Sequence, residues 1–270
     1  MNKRSFLIRI VPIAIAGLVV FFQYFSSEKV TNEAGRTAHY ALSTEQEKSL
    51  GLQSYQQVLS EEQTVTSGPD YELVKRVAQR LATATGDSGK KFDWQVSVVR
   101  SPQVNAFCLP GGKIVVYTGI IPVARTEAGL ATVMGHEMAH ATLRHGSERL
   151  LQQKATQALM TGVQVSVGDM TYDQRQAVMG AIGAGAKYGF LLPFSRDHES
   201  EADAIGLRYM ARAGYDPSEA VEFWKRMAEA TARGGDKPPE FMSTHPSDAT
   251  RIADLERLLP AAMKEYHPKQ

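Results

Sequence analysis

The feature that most constrains this chain is the segment 133–140, in which two histidines stand four residues apart among apolar neighbours. Positions i and i+4 of an α-helix lie on the same face, so the rings of His136 and His140 can reach one ion. The apolar neighbours predict a buried helix, where unpaired imidazoles would be costly. A surface helix that carries two histidines by chance is the alternative, and the burial pattern favours a metal site.

Glu137 directly follows the first histidine and brings a carboxylate beside the predicted ion. Imidazole ligands with an open coordination position suit catalytic zinc, which activates water for hydrolysis. We therefore expect one Zn²⁺ per chain, with His136 and His140 as ligands and Glu137 as the general base that activates the attacking water.

A third ligand is expected from the acidic segment 196–203. Glu199 and Asp203 share one face of a predicted helix, so Glu199 can bind the metal while Asp203 accepts the free N–H of a ligand histidine. The spacing favours Glu199 over Glu201, which points elsewhere. His198 faces about 100° away from Glu199.

His145 stands five residues after His140. At that spacing, we expect His145 to cap the end of the helix rather than to bind metal.

The rest of the chain predicts a small mixed sheet among many helices, which is the α+β class. Large apolar residues alternate with polar ones from 92 to 98, and Pro110-Gly111-Gly112 is a turn signal between two further strands. The predicted strands are 92–98, 104–109 and 113–117, and the predicted helices include 70–84, 126–144, 147–166, 172–188, 197–213, 217–231 and 247–259.

The N-terminus combines basic residues with an apolar run. Lys3, Arg4 and Arg9 precede the apolar stretch 10–25, which is about as long as a bilayer-spanning helix requires. Residues 1–25 are therefore predicted to be a membrane segment, either an uncleaved signal anchor or a cleaved signal peptide. The bulky residues that end the run favour the anchor, and the basic residues place the chain beyond residue 26 across the membrane.

Two other segments have less specific patterns. Residues 26–43 are polar and are predicted to be a tether. The small residues of 180–186 suggest a second membrane helix, but Lys187 and Pro193 favour close helix packing in a soluble core.

Composition excludes several classes of protein. The 30 basic and 29 acidic residues give a net charge of +1, which lacks the basic footprint of a nucleic-acid binder. The single cysteine, Cys108, excludes an internal disulfide framework and is interpreted as a buried apolar residue.

Taken in order, four motifs resemble the HtpX, Oma and CAAX-prenyl-endopeptidase group of gluzincin zinc metallopeptidases. The motifs are His136-Glu137-x-x-His140, Phe194-Ser195-Arg196, Glu199-x-x-Ala202-Asp203 and Thr244-His245-Pro246. The resemblance spans residues 44–258 and is nearest to the bacterial envelope branch, the BepA/LoiP-like proteins.

This resemblance implies a zincin-type metallopeptidase domain over residues 44–265. In that domain, zinc is bound by His136, His140 and Glu199, with Asp203 behind the ligands. It also implies a bacterial cell envelope location, anchored in the inner membrane with the catalytic domain in the periplasm, or secreted to the periplasm if the N-terminal segment is cleaved.

Two further features acquire roles from the resemblance. Asn105, Ala106 and Phe107 stand where similar enzymes present an edge strand, with which an extended substrate could pair; an ordinary hairpin strand is the alternative. His245 resembles the family histidine near the metal. It could donate to the oxyanion of the tetrahedral intermediate, occupy the open metal position and keep the enzyme latent, or be an ordinary loop histidine.

The sequence thus predicts an endopeptidase that hydrolyses peptide bonds of misfolded or unfolded envelope proteins, bound in extended form. One alternative is a chaperone-like quality-control factor with a latent protease site. Another is a zinc hydrolase that acts on a small substrate. The oligomeric state stays open.

Overall fold

The computed structural model describes residues 3–168, 170–173, 176, 195–233, 239–245 and 250–268. This part of the chain is mostly helical with two small sheets, which confirms the α+β class. The helices are α1 (Lys3–Ser26), α2 (Thr44–Glu61), α3 (Pro69–Ala84), α4 (Gly86–Gly89), α5 (Ile121–Ala124), α6 (Glu127–Thr142), α7 (His145–Ser166), α8 (Arg196–Arg212), α9 (Glu219–Arg233), α10 (Glu240–Thr244) and α11 (Arg251–Met263). The strands are β1 (Glu28–Thr31), β2 (Thr37–Tyr40), β3 (Thr64–Val65), β4 (Gln95–Val99), β5 (Ala106–Leu109) and β6 (Lys113–Tyr117).

The chain divides into two compact units. The first comprises residues 1–30, 37–43 and 147–192, and the second comprises 31–36, 44–146 and 193–270. In the first unit α1 and α7 pack closely, since a Cβ placed on Gly162 would lie 2.6 Å from the Cβ of Ala16. The segment predicted as a tether contributes β1 and β2, which pair with each other.

Among the described residues, no helix has both the length and the apolar character needed to cross a membrane. The structure therefore does not support the membrane segment predicted over residues 1–25. The predicted helix 172–188 and the small-residue run 180–186 lie largely or wholly outside the described residues.

The second unit contains a four-stranded sheet in the order β3-β4-β6-β5. β4 and β6 are parallel, whereas β3–β4 and β5–β6 are antiparallel, so the sheet is mixed as predicted. β5 and β6 are joined through Gly111 and Gly112, whose φ angles of 81° and 93° favour glycine, as the turn signal indicates. β5 lies at one edge of the sheet.

Helix α6 runs through the core of the second unit. Its residues from Gly129 to His140 are all buried. The helix begins where the Thr126 side chain accepts a hydrogen bond from the Gly129 N–H at 2.9 Å. Burial on all sides explains why the segment is apolar or small except at its few functional positions.

Helices α6 and α8 cross at two glycines. A Cβ placed on Gly206 would lie 3.0 Å from the backbone nitrogen of His136, and one placed on Gly135 would lie 3.2 Å from the Gly206 carbonyl oxygen. Because neither position carries a side chain, the two backbones approach closely. This contact brings the acidic face of α8 against the histidines of α6.

Candidate metal centre

Four buried side chains with metal-ligand atoms converge between α6, α8 and the end of α10. They are His136, His140, Glu199 and His245, and one ligand atom from each lies within 4.8 Å of the others. His136 Nε2 lies 3.1 Å from His140 Nε2 and 3.3 Å from His245 Nδ1. Oε1 of Glu199 lies 3.4 Å from His140 Nε2 and 3.0 Å from His245 Nδ1.

These distances fit a zinc ion. Ligand atoms about 2.1 Å from a tetrahedral ion lie about 3.4 Å from one another. Two imidazoles and a carboxylate are also the donors that catalytic zinc sites use. The structure thus brings together the three residues predicted as ligands, and it places His245, for which one prediction was the open metal position, in the same cluster.

His136 is held from behind by a buried carboxylate. Its Nδ1 lies 2.9 Å from Oδ1 of Asp203, the residue expected from the sequence to accept from a ligand histidine. Burial lowers the pKa of His136, but the hydrogen bonds to Asp203 and Glu199 outweigh burial and raise it to about 9. In the same way, burial raises the pKa of Asp203, and Arg251 and His136 outweigh it and lower that pKa.

Arg251, at the start of α11, pairs with Glu199 and Asp203, the two carboxylates that contact His136. Its Nη1 donates to Glu199 at 3.1 Å and its Nη2 to Asp203 at 2.7 Å. Its guanidinium carbon lies 3.4 Å from the ring centroid of Trp224. The arginine therefore places one positive charge between two buried carboxylates, with almost no exposure to solvent.

His140 is supported differently, through a second histidine. Its Nδ1 lies 2.9 Å from Nδ1 of His145, and Nε2 of His145 lies 3.1 Å from Oε2 of Glu201. His145 is fully buried, and its ring stacks on His198 with centroids 4.3 Å apart. Glu201, expected to point elsewhere, is thus connected to the metal centre.

The position of His145 differs from the prediction that it caps the end of the helix. Helix α6 ends at Thr142, and Arg144 adopts a left-handed conformation with φ of 59°, so the chain turns and α7 begins at His145. Arg144 is held there by Glu47, with Nε 3.0 and 3.1 Å from the carboxylate oxygens. Because helical spacing breaks at this turn, His145 faces His140 rather than the helix end.

Glu137 is buried beside the cluster. Burial raises the pKa of its carboxyl group, and a hydrogen bond from the backbone of Cys108 opposes this. Its Oε1 lies 3.2 Å from Nε2 of His245 but makes no hydrogen bond of good geometry within the described part of the chain. A buried carboxylate oxygen without such a bond is well placed to accept a proton from water.

Strand β5, which contains the predicted residues Ala106 and Phe107, lies next to this site. Asn105 directly precedes it, and its carbonyl accepts from Tyr117 of β6 at 3.1 Å. Since hydrogen-bonding groups alternate along an antiparallel strand, the groups of Ala106 and Cys108 face the other edge. Within the described residues, no strand pairs with that edge. Cys108 itself is half-buried on the strand.

Three residues at this site were not predicted from the sequence to take part: Arg251, His145 and Glu201. Of these three, Arg251 is the one with a local signal in the sequence, since it lies six residues after the predicted site residue His245. The sequence predicts His145 at the end of its helix and, from helical spacing, places Glu201 on a different face from Glu199.

A buried site of this composition, beside the open edge of a sheet, defines a metal-dependent peptidase. The model of Peptidase family M48 matches residues 70–259, and the chain belongs to that family.

Curated relatives agree with this assignment. The mitochondrial metalloendopeptidase OMA1 of Schizosaccharomyces pombe is 36% identical over 92% of this chain and 71% of its own length. OMA1 of Saccharomyces cerevisiae is 34% identical over 81% of this chain, which spans 63% of that protein. The beta-barrel assembly-enhancing protease of Yersinia pestis is 29% identical over 82% of this chain and 46% of its own length. The predicted resemblance is confirmed, and the chain is a zinc metalloendopeptidase.

The predicted location in a bacterial envelope is wrong. The two yeast relatives are mitochondrial proteins, and the bacterial relative is less similar in sequence. The prediction depended on the resemblance to the bacterial envelope branch and on basic residues followed by an apolar run. Such a run orients a segment relative to a membrane without indicating which membrane.

Proposed function

We propose that His136, His140 and Glu199 hold the zinc ion and that Glu137 is the general base for hydrolysis of internal peptide bonds in unfolded proteins. The observation that carries this proposal is the convergence of the ligand atoms of His136, His140, Glu199 and His245 within 4.8 Å of one another. Asp203 fixes the ring of His136 by accepting its Nδ1–H.

When bound, zinc supplies Lewis-acid polarisation of the scissile carbonyl and of the attacking water. Glu137 takes a proton from that water and passes it to the leaving amine. Burial raises the pKa of Glu137, so this carboxylate accepts a proton more readily than an exposed glutamate. The surrounding apolar core excludes bulk water from the proton transfer.

Replacement of Glu137 by Gln tests this role. We expect Glu137→Gln to lower the cleavage rate of an unfolded protein by about 10²–10⁴-fold, because a general base contributes that much. Zinc content and far-UV circular dichroism stay at wild-type values. The exposed Glu61→Gln on α2 is the matched control.

Cleavage by Glu137→Gln at the wild-type rate would refute the assignment. Mass-spectrometric mapping of the products separates endopeptidase cuts from terminal trimming. If the protein is instead a chaperone-like factor, the wild type and the Glu137→Gln variant should suppress aggregation of the same unfolded protein equally well. An aggregation assay on both proteins therefore distinguishes chaperone activity from proteolysis.

His245 is proposed to close the metal site. Its Nδ1 belongs to the ligand cluster and its Nε2 faces Glu137, so its ring fills the place that a substrate carbonyl and water would take. We expect His245→Ala to raise kcat/KM for peptide cleavage at saturating zinc. A fall in kcat with unchanged KM would instead support the role of His245 as an oxyanion donor.

The open edge of β5 is proposed as the substrate site. An extended peptide would pair with the backbone N–H and carbonyl of Ala106, between Asn105 and Phe107. Main-chain pairing of this kind gives affinity with little dependence on the substrate sequence, which suits unfolded proteins.

Helix α1 is proposed to attach the protein to a membrane. Several of its large apolar side chains are exposed, including Leu18, Phe22 and Phe25. Flotation of the full chain with liposomes checks this proposal. Leu18→Asp should reduce co-flotation, and equal flotation of variant and wild type would argue against it.

A further inference from the structure

A tight turn joins β1 and β2, and we refer to residues 32–36 as the 32–36 turn. The Asn32 N–H donates to the Arg36 carbonyl at 2.9 Å, and the Asn32 side chain accepts from the Arg36 N–H at 3.0 Å. Gly35 has a φ of 82°, which a glycine adopts without strain. The turn therefore presents its polar side chains from a fixed backbone.

Two side chains of the 32–36 turn hold Glu201 of α8. Arg36 binds its carboxylate with two nitrogens, Nε to Oε1 and Nη2 to Oε2, the latter at 3.2 Å. Asn32 Nδ2 donates to Oε2, also at 3.2 Å. Although burial raises the pKa of Glu201, His145 and Arg36 outweigh it and lower that pKa to about 2.

A third residue of the turn, Glu33, fastens it to the same unit. Its Oε2 accepts from Tyr209 at 2.7 Å and from Ser88 at 2.6 Å. Its Oε1 lies 3.4 Å from Nη1 of Arg212. The contact between Arg36 and Glu201 is thus part of a docked turn rather than an isolated surface pair.

The chemistry of the two histidines sets the direction of each hydrogen bond. A metal at Nε2 of His140 leaves the proton on Nδ1, which must donate to Nδ1 of His145. His145 is then a neutral imidazole with its proton on Nε2, and it donates to Glu201. One continuous series of hydrogen bonds leads from His140 to Arg36, and each donor in it meets an acceptor.

We propose that the 32–36 turn is an outer part of the metal centre and that His145, Glu201 and Arg36 are positioning residues for His140. Arg36 and Asn32 hold the Glu201 carboxylate, which fixes the tautomer and ring of His145. His145 in turn orients the ring of His140 and makes it a stronger donor to zinc. This inference depends on the proposed role of His140 as a ligand.

Zinc affinity of the full chain tests the proposal. Metal-free protein is titrated with Zn²⁺ against a chromophoric chelator, after circular dichroism has shown that each variant is folded. We expect Arg36→Gln and Glu201→Gln each to weaken zinc binding by about 10-fold or more, as loss of an outer partner of a ligand histidine typically does. Arg36→Lys keeps the charge and should recover part of the affinity.

The matched control is Arg208→Gln, which removes another arginine–carboxylate pair made by α8, the helix that carries Glu201. Arg208 donates to Glu265 at 2.8 Å, and none of its described hydrogen bonds or ion pairs is to a histidine or to the 32–36 turn. The zinc affinity of the Arg208→Gln variant should equal that of the wild type. The visible spectrum of the Co²⁺-substituted protein gives a readout of the ligand field, and we expect it to shift in Glu201→Gln but not in Arg208→Gln.

Two results separate this proposal from the proposed function. If Arg36→Gln and Glu201→Gln bind zinc and Co²⁺ like the wild type while His140→Ala loses the metal, the positioning role is refuted and the zinc site stands. If His140→Ala binds zinc with wild-type affinity, the proposed ligand set fails and the positioning role fails with it. Should Glu201→Gln not fold, Arg36→Gln decides.

Discussion

The two histidines of the metal centre are supported by different structures. His136 contacts a carboxylate directly, and that carboxylate pairs with Arg251, which is only 5% exposed. His140 reaches a carboxylate only through His145, and the series ends at Arg36, which is 33% exposed. Both supporting carboxylates, Asp203 and Glu201, lie on α8 two residues apart.

This difference has electrostatic consequences. With a direct carboxylate, the pKa of His136 is raised to about 9, whereas burial holds the pKa of His140 well below its ordinary value. A buried arginine that pairs with two acids is costly to remove, since both buried acids would lose its positive charge. An arginine that is one-third exposed is screened by water and costs less to remove. We therefore expect the His136 side to contribute more to the stability of the fold than the His140 side.

The largest expected effect follows from removing the buried cation. Arg251→Met should lower the free energy of unfolding of the metal-free protein by about 3–5 kcal/mol, because the buried Glu199 and Asp203 would lose the arginine that pairs with both of them. Arg36→Met is the matched variant on the other side and should cost about 1 kcal/mol or less. Urea denaturation followed by circular dichroism measures both, and equal losses would remove the distinction between the two sides.

An intermediate effect, on zinc binding, is expected when either supporting carboxylate is replaced by its amide. Asp203→Asn should weaken zinc binding by about 100-fold and Glu201→Gln by about 10-fold, because the first contacts its ligand histidine directly. A chelator competition titration compares the two variants. The reverse order would show that the relayed contact through His145 holds the metal more strongly than the direct one.

The smallest effect is expected where α6 and α8 cross. In Gly206→Ala the new Cβ would lie 3.0 Å from the backbone nitrogen of His136 and must push the helices apart. We expect a loss of about 1 kcal/mol in unfolding free energy and weaker zinc binding, since α8 carries the carboxylates of both sides. Gly17→Ala is the control, because a Cβ there meets nothing within 4 Å. Unchanged zinc affinity in Gly206→Ala would show that the site tolerates a shift of α8.

Local periodicity predicted the parts of the fold that depend on neighbours in sequence. The i and i+4 spacings predicted that His136 and His140 share a face, as do Glu199 and Asp203. The 113–117 strand was predicted with its observed limits. The strand predicted from residue 92 begins at Gln95, because Phe92 bonds back to Gly89 and stacks on Trp94 with centroids 4.8 Å apart. β3 has only two residues and is too short to show a period.

The remaining parts of the site depend on long-range contacts that leave no local pattern. Arg251 meets Glu199 and Asp203 only because α11 packs on α8. Arg36 meets Glu201 across more than half of the sequence. His145 was misplaced because the left-handed turn at Arg144 depends on Glu47, which lies far away in sequence. Charge pairing between distant residues has no spacing rule that a single sequence could reveal.

The backbone bond from Cys108 to Glu137 has a consequence for how this enzyme can diverge. The strand supplies a main-chain group to the base, and its open edge offers main-chain groups to a substrate. Any residue except proline provides the same N–H, so this support of the base does not depend on the Cys108 side chain. A proline at position 108 is therefore the substitution that would remove this bond, and selection should exclude it there.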